Sequence, residues 1–216
     1  LLINLMQESR KILEKHEINL VRLDLKENPA NMIWLWGQGK RPEMESFCER
    51  YGIKGSVISA VDLIKGLGKV IGLEVINVPG ATGYYDTNYE GKAEAALRAL
   101  EYNDFVFIHL EAADEAGHNG DLREKIIAIE RFDQLILGKV LRQFKRKRNF
   151  RVMVLPDHAT PVSLKTHTAD PVPFGIFGQN IIARGFLNYS EKESLKSELN
   201  FEKGHELMDY FIRKAE

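Results

Sequence analysis

The stretch FVFIHLEAADEAGHNGD (105–121) decides the fold class of this chain. It begins with an apolar run and continues into a polar segment that carries Asp114 and His118, four residues apart. A continuous apolar run is typical of a strand that is covered on both faces. Polar groups that follow such a strand lie at the edge of a parallel sheet where functional groups collect. The stretch therefore predicts both a buried strand and a functional loop.

The same rhythm of apolar run and helix-like segment repeats along the chain. Runs with strand character lie at 31–37, 55–61, 69–78, 103–112, 150–157 and 172–178. Segments with helical periodicity lie at about 42–51, 60–68, 90–102 and 121–147, and a closing amphipathic helix is predicted over 204–215. The first thirty residues predict a helix, a short strand over 18–25 and a loop. This alternation predicts an α/β fold with a mostly parallel sheet sandwiched by helices.

Composition excludes several classes of protein. Among 216 residues, 30 Lys and Arg balance 31 Asp and Glu, so a polyanion-binding protein is not expected despite a basic cluster at 139–151. No apolar run reaches the roughly 18 residues that a membrane span needs. The single cysteine, Cys48, excludes an internal disulfide framework and fits the reducing cytoplasm. We expect no nucleic-acid and no membrane partner.

Two further loops carry residues that can bind metal. Asp157 and His158 follow the apolar run at 150–157, and His167 precedes the next run. Together with Asp114 and His118 they give mixed carboxylate and imidazole ligands, which suit Mn, Zn, Co or Fe. Five candidate ligands exceed one tetrahedral site and are too few for two complete ones. The count therefore fits a two-metal centre that lacks some ligands.

Each of these residues also has an ordinary structural interpretation. Asp and His frequently cap helices and turns, so the Asp114–His118 spacing alone is weak support for a metal site. Asp157 and His158 can cap a strand end, and His167 can be a hydrogen-bonded loop histidine. Their joint placement after consecutive strands favours the metal site. His109, inside the strand, is predicted to pack or hydrogen-bond behind it.

Several cations are candidates for binding an anionic substrate. Lys40 and Arg41 follow a strand that ends in Gly-Gln-Gly, and Lys65 follows the apolar run at 55–61. Such cations can neutralise a phosphate, although a solvated turn explains Lys40 and Arg41 equally well. The glycine-rich segment 79–92 can expose backbone N–H groups to an anion, or it can be a strand-to-helix loop filled by tyrosines.

These motifs resemble a known family. D-E-A-G-H, P-D-H and T-H-T-A-D-P-V-P-F occur in this order and look like the metal-binding half of the alkaline phosphatase superfamily. N-M-I-W-L-W-G-Q-G, P-G-A-T-G-Y-Y-D-T-N-Y-E-G-K and H-L-E-A-A-D-E-A-G-H-N-G-D resemble the archaeal-type, 2,3-bisphosphoglycerate-independent phosphoglycerate mutases. The resemblance implies an alkaline phosphatase-like fold in which residues 31–216 form an incomplete metal-binding domain, and residues 1–30 end an inserted or preceding segment.

The resemblance also implies ligand sets for two divalent ions (Mn, Zn, Co or Mg). One ion takes Asp114, His118 and His167, and the other takes Asp157 and His158. The substrate is small and phosphorylated, with Lys65, Lys40 and Arg41 as its candidate ligands, and no 2,3-bisphosphoglycerate is needed.

The reaction that the resemblance implies interconverts 3-phosphoglycerate and 2-phosphoglycerate through a phosphoserine, a step of glycolysis and gluconeogenesis. In the family, the serine nucleophile and a further metal-binding aspartate lie ahead of this region. No serine here has that context, so we assign no catalytic residue to this chain and expect it to be inactive alone. The alternatives are a metal-dependent phosphatase, phosphodiesterase or phosphopentomutase of the same superfamily, or a non-catalytic metal-stabilised scaffold. A homo-oligomer is compatible with each of them.

Overall fold

The computed structural model describes residues 1–144, 149–183, 185 and 188–214. The chain divides into two compact units, Leu1–Glu43 and Met44–Glu216. The predicted boundary between residues 30 and 31 lies within the first unit, so the run at 31–37 groups with the opening helices. Among the described residues, no helix has both the length and the apolar character needed to cross a bilayer.

The elements alternate as the sequence predicts over most of the second unit. The helices are α1 (Leu2–Leu13), α2 (Glu17–Asp24), α3 (Phe47–Tyr51), α4 (Asp62–Val70), α5 (Tyr89–Ala99), α6 (Ala112–Asn119), α7 (Leu122–Arg131), α8 (Gly138–Phe144), α9 (Glu191–Ser194) and α10 (Glu206–Asp209). The strands are β1 (Gly55–Ile58), β2 (Glu74–Ile76), β3 (Phe105–Ile108), β4 (Arg151–Val154) and β5 (Gly175–Gly178). Two π-helical segments follow α7 and α10, at Phe132–Leu137 and Tyr210–Lys214.

A parallel sheet with the strand order β2-β1-β3 lies at the centre of the second unit. Val57 and Ile58 on β1 are each 1% exposed and point to opposite faces. Val57 packs with Phe47 of α3 and Leu73, whereas Ile58 packs with Ala96 of α5. Helices therefore cover both faces of this sheet, which explains why its central strand is apolar apart from the buried Ser56.

The fourth and fifth strands differ from the predicted parallel arrangement. β5 pairs antiparallel with β4, with Val154 opposite Gly175. A parallel pairing needs a crossover, usually a helix, but residues 155–174 form turns and the bridge between Ala159 and Thr168. β5 therefore runs back alongside β4, and the loop between the two strands lies at the end of β4.

Two predicted strands in the first unit are absent. Residues 18–25 were expected to form a strand, but α2 occupies Glu17–Asp24 because His16 accepts a hydrogen bond from the backbone of Ile18 and caps the helix. The run at 31–37 forms no strand, since all of residues 1–43 are described and none of them provides a neighbouring strand. Trp36 in this run is 79% exposed.

Two predicted helices are interrupted. The segment predicted as one helix over 121–147 consists of α7, a π-helical segment and α8, and residues 145–147 lie outside the described residues. Ile136 of the π-helical segment is buried against Tyr89 of α5. The closing helix begins at Glu206 and also becomes π-helical at Tyr210, and Ala215 is not among the described residues.

Candidate metal centre

Asp114 and His118 lie on α6, which begins four residues after β3 ends. A four-residue spacing places two side chains on the same face of a helix. The His118 Nε2 atom lies 3.3 Å from Asp114 Oδ2. Both side chains are partly buried, and both contact the loop that follows β4.

His167, on the loop that follows β4, completes a cluster of three candidate metal ligands with Asp114 and His118. Its Nε2 atom lies 3.5 Å from Asp114 Oδ1 and 2.9 Å from His118 Nε2. The three candidate ligand atoms all lie within 4.8 Å of one another. Residues 49 positions apart in the sequence therefore meet in one small volume.

The proton arrangement on His118 suits a metal ligand. Its Nδ1 atom lies 3.0 Å from the backbone carbonyl oxygen of Lys165. A carbonyl only accepts hydrogen bonds, so Nδ1 is the donor and Nε2 of the neutral ring keeps its lone pair. That lone pair faces Asp114 and His167. A hydrogen bond from the distal ring nitrogen to a carbonyl is the usual support of a metal-binding histidine, so these residues fit a divalent transition ion.

Asp157 and His158 lie beside this triad. The His158 ring stacks on His167 with ring centroids 3.8 Å apart, and its Nδ1 atom is 3.9 Å from Asp114 Oδ1. Its Nε2 atom is 3.5 Å from Asp157 Oδ2. The Asp157 side chain is 73% exposed. The pair is thus adjacent to the triad, and its assignment to a second ion stays a prediction.

Sequence reasoning missed Thr160. This residue is only 4% exposed, and its hydroxyl lies between two of the candidate ligands. It donates a short hydrogen bond to Asp114 Oδ1 and lies 3.2 Å from His158 Nδ1. The signal in the sequence is its place two residues after His158, where a small hydroxyl side chain can reach back to the histidine ring.

Gly117 lies inside α6, whereas Gly120, with φ of 73°, makes the exit from that helix. A Cβ atom at Gly117 would overlap the backbone carbonyl oxygen of Thr160 and lie 2.8 Å from its methyl group. Gly117 therefore allows Thr160 to approach the helix.

His109 makes a side-chain hydrogen bond, as predicted, and its position behind the site stays a prediction. The His109 Nδ1 atom is 3.2 Å from Ser59 Oγ, and burial lowers the pKa of His109. Lys92, the last residue of the glycine-rich segment, is only 1% exposed and donates to the His109 carbonyl at 3.0 Å. Burial and the carboxylates of Glu115 and Asp114 raise the pKa of Glu111.

The glycine-rich segment 79–92 contacts this region through its own side chains. A Cβ atom at Gly83 would overlap the carboxylate of Glu111, so the nearest anion to this glycine belongs to the chain itself. The rings of Tyr84 and Tyr85 stack with centroids 4.0 Å apart, and the Asn119 side-chain amide donates to both hydroxyls. This arrangement favours the loop filled by tyrosines over an anion cradle.

The candidate substrate cations have less support from the structure. Lys65 lies on α4 with a side chain that is 26% exposed, 3.4 Å from Asp62 Oδ1. Lys40 and Arg41 are exposed and belong to the first compact unit. Their roles stay predictions. Residues 145–148 of the basic cluster lie outside the described residues.

Comparison with curated proteins supports the resemblance. A relative from Methanosarcina acetivorans, named 2,3-bisphosphoglycerate-independent phosphoglycerate mutase, is 51% identical over 194 residues, or 89% of this chain and 49% of the relative. One from Methanothermobacter thermautotrophicus, named 2,3-bisphosphoglycerate-independent phosphoglycerate mutase 2, is 50% identical over 98% of this chain and 52% of its own length. The chain spans about half the length of the curated relatives it matches.

Solved structures show the same fold. The PH0037 protein from Pyrococcus horikoshii has a TM-score of 0.85 and 31% identity, over 97% of this chain and 55% of that one. A cofactor-independent phosphoglycerate mutase from Thermoplasma acidophilum has a TM-score of 0.63 and 25% identity, over 98% and 50%. These similarities confirm the α/β, alkaline phosphatase-like fold class and the resemblance to these mutases.

The family comparison agrees with the geometry of the donors. The model of a protein family described as "Metalloenzyme superfamily" matches residues 8–213, which include the candidate ligands. The triad supports the use of a divalent metal on independent grounds, since Asp114, His118 and His167 converge without any reference to relatives. By this match over nearly its whole length, the chain belongs to the Metalloenzyme superfamily.

Proposed function

We propose that this chain is the metal-binding part of a cofactor-independent phosphoglycerate mutase, which interconverts 3-phosphoglycerate and 2-phosphoglycerate. The observation that carries the proposal is the convergence of Asp114, His118 and His167 within 4.8 Å. The names of the relatives supply the reaction class. The reaction runs through a phosphoserine, which divides one isomerisation into two phosphoryl transfers.

The residues of the cluster have separate tasks in this proposal. Asp114, His118 and His167 hold one divalent ion, and Asp157 and His158 contribute to the site of a second. The donor set suits Mn, Zn or Co, and the resemblance also allows Mg. Such ions, when bound, polarise phosphoryl oxygens and activate a hydroxyl nucleophile.

In this proposal, cations of the chain orient the substrate. The reaction needs no 2,3-bisphosphoglycerate. Lys65 neutralises the phosphate of a small phosphorylated substrate, and Lys40 and Arg41 are separate candidates for that task. The exposed, unpaired thiol of Cys48 suits the reducing cytoplasm, where glycolysis and gluconeogenesis take place. In this proposal the nucleophilic serine lies outside the 216-residue chain, which is inactive alone.

A chimera tests this function. The part of the Methanosarcina acetivorans relative that this chain does not match is fused to this chain, and conversion of 3-phosphoglycerate to 2-phosphoglycerate is followed with Mn²⁺ present. We expect turnover by the chimera and none by the 216-residue chain. Asp114→Asn should lower turnover more than about 100-fold, since even partners that only support a metal ligand are worth about 10–100-fold. Asp133→Asn, on the exposed side of the π-helical segment, is the matched control.

The outcomes separate the rival functions. Release of inorganic phosphate without 2-phosphoglycerate would point to a phosphatase of the same superfamily. Metal binding without phosphoryl transfer to any substrate, including an aryl phosphate, would favour the scaffold. Fast turnover by the 216-residue chain alone would disprove the proposed absence of the nucleophile.

A further inference from the structure

We propose that Thr160 is a positioning residue that fixes the proton on Nδ1 of His158 and thereby directs Nε2 of that ring to the metal. The inference deepens the proposed function, because it rests on the metal site assigned there. It concerns a residue that touches two candidate ligands and is not itself a ligand. Thr160 lies in the loop after β4 and is 4% exposed.

The single hydrogen of the Thr160 hydroxyl determines the direction of both contacts. An ionised carboxylate only accepts hydrogen bonds, so the short contact with Asp114 Oδ1 takes the hydroxyl hydrogen. The second contact, at 3.2 Å from His158 Nδ1, then has no hydroxyl hydrogen available. The ring must be the donor there, so Nδ1 of His158 carries the proton.

The consequence for the metal site is a defined tautomer of His158. A neutral imidazole protonated at Nδ1 has its lone pair on Nε2, which is the atom that can bind a cation. His158 Nε2 lies 3.5 Å from Asp157 Oδ2, its predicted partner in the second set of ligands. The same hydroxyl occupies Asp114 Oδ1, so one small side chain orients one group from each proposed ligand set.

The backbone of Thr160 is held in place by two other elements. Lys125 of α7 donates from Nζ to the Thr160 carbonyl oxygen at 2.6 Å. Gly117 of α6 lets the same carbonyl and the threonine methyl group pack against the helix. These contacts hold the residue whose hydroxyl meets Asp114 and His158, as a group that must aim a proton requires.

Two substitutions at Thr160 distinguish the role of its hydroxyl group from the role of its side-chain volume. Thr160→Val keeps the volume and loses the hydroxyl, whereas Thr160→Ser keeps the hydroxyl. We expect Thr160→Val to lower the affinity of the 216-residue chain for Zn²⁺ about 10–100-fold, and Thr160→Ser to restore it to within a few-fold. Thr87→Val is the matched control, because Thr87 is also buried, at 5% exposure, and its hydroxyl accepts from the backbone of Thr82.

Nitrogen NMR of the metal-free chain provides a readout that a merely structural role would not change. In the wild type and in Thr160→Ser, we expect His158 to be protonated at Nδ1. In Thr160→Val, we expect the Nε2-protonated form to become populated. A wild-type His158 protonated at Nε2 would overturn the inference even if Thr160→Val does not fold.

The two proposals fail in different ways. If the wild type binds neither Zn²⁺ nor Mn²⁺, the proposed metal function is wrong, and the NMR measurement still decides the tautomer. If the wild type binds Zn²⁺ and Thr160→Val binds it equally well with an unchanged tautomer, the role of Thr160 is wrong and the metal function stands.

Discussion

Gly117 ties the helix that carries Asp114 and His118 to the loop after β4. Glycine inside a helix costs about 1 kcal/mol relative to alanine, so the position needs a compensating gain. That gain is the close approach of Thr160, whose carbonyl oxygen and methyl group occupy the space of a Cβ atom. Lys125 Nζ lies 3.0 Å from the same space and bonds the same carbonyl.

We predict that Gly117→Ala destabilises the 216-residue chain by about 1–3 kcal/mol in urea unfolding, because the new methyl group displaces the backbone of Thr160. Gly66→Ala is the matched control. Gly66 also lies inside a helix, α4, but nothing lies within 4 Å of its Cβ position. That substitution should stabilise the chain by about 0.5–1 kcal/mol. Equal effects of the two substitutions would show that the packing of Thr160 is not what requires glycine.

At this scale the sequence indicated three side chains that the structure brings together, Asp114, His118 and His167, but not the groups that orient them. The spacing of Asp114 and His118 follows from helix geometry alone. Thr160 could not be predicted, because a threonine has no chemical signature until its hydroxyl is placed between two partners. Lys92 was equally hidden, since its burial depends on how α5 packs on β3.

Lys92 links two elements, since it lies on α5 and donates to the His109 carbonyl just beyond β3. The side chain is 1% exposed, and this burial lowers its pKa from 10.5 to about 8, although the Glu111 carboxylate opposes the shift. The folded state therefore disfavours the charged ammonium. The carbonyl that Lys92 bonds belongs to the segment leading into α6. The buried lysine therefore helps to hold the segment that precedes the candidate metal centre.

The lowered pKa predicts a pH dependence with a definite sign. Between pH 8 and 10.5 the unfolded chain binds more protons at Lys92 than the folded chain does, so the free energy of unfolding rises with pH. We expect the wild-type value minus that of Lys92→Met to rise by about 3 kcal/mol across this range. Urea unfolding at a series of pH values measures it. Lys69→Met, which removes an exposed lysine of α4, is the control and should give no comparable rise; a flat difference for Lys92→Met would contradict the assignment.

The strands of the central sheet, which helices cover on both faces, were predicted better than the elements of the first unit. The runs that became β1 and β3 are mostly apolar because helices cover both faces of the sheet. Over 18–25, eight residues of near-alternating polarity fit a strand as well as a helix. The decision there depends on the His16 cap and on Asn19, which is 4% exposed and bonds the carbonyls of Leu13 and Ala30.

At the scale of the whole molecule, the candidate metal centre joins a helix to a loop that lies far from it in the sequence. Asp114 and His118 come from α6, and His167 comes from the loop between β4 and β5. The direct links between them include the 2.9 Å contact of the two Nε2 atoms. Two imidazole nitrogens and a carboxylate that face the same small volume can bind a cation. A bound ion would then hold the loop against the helix.

Metal binding should therefore raise the stability of the fold. A ligand that binds only the native state contributes RT ln(1 + [L]/Kd), about 2.7 kcal/mol at a hundredfold excess over Kd. For a domain of this size that corresponds to an increase in Tm of about 5–10 °C. We expect Zn²⁺ or Mn²⁺ to produce this increase in thermal unfolding of the 216-residue chain, and a chelator to reverse it.

Asp114→Asn separates this linkage from nonspecific effects of the ion. The variant should unfold at the same temperature with and without metal, because its amide replaces the carboxylate at the centre of the three donors. Asp133→Asn, on the exposed side of the π-helical segment, should keep the full increase. An increase that survives in Asp114→Asn would place the stabilising ion elsewhere. In that case the convergence of donors on Asp114 would be an internal hydrogen-bond network rather than a cation site.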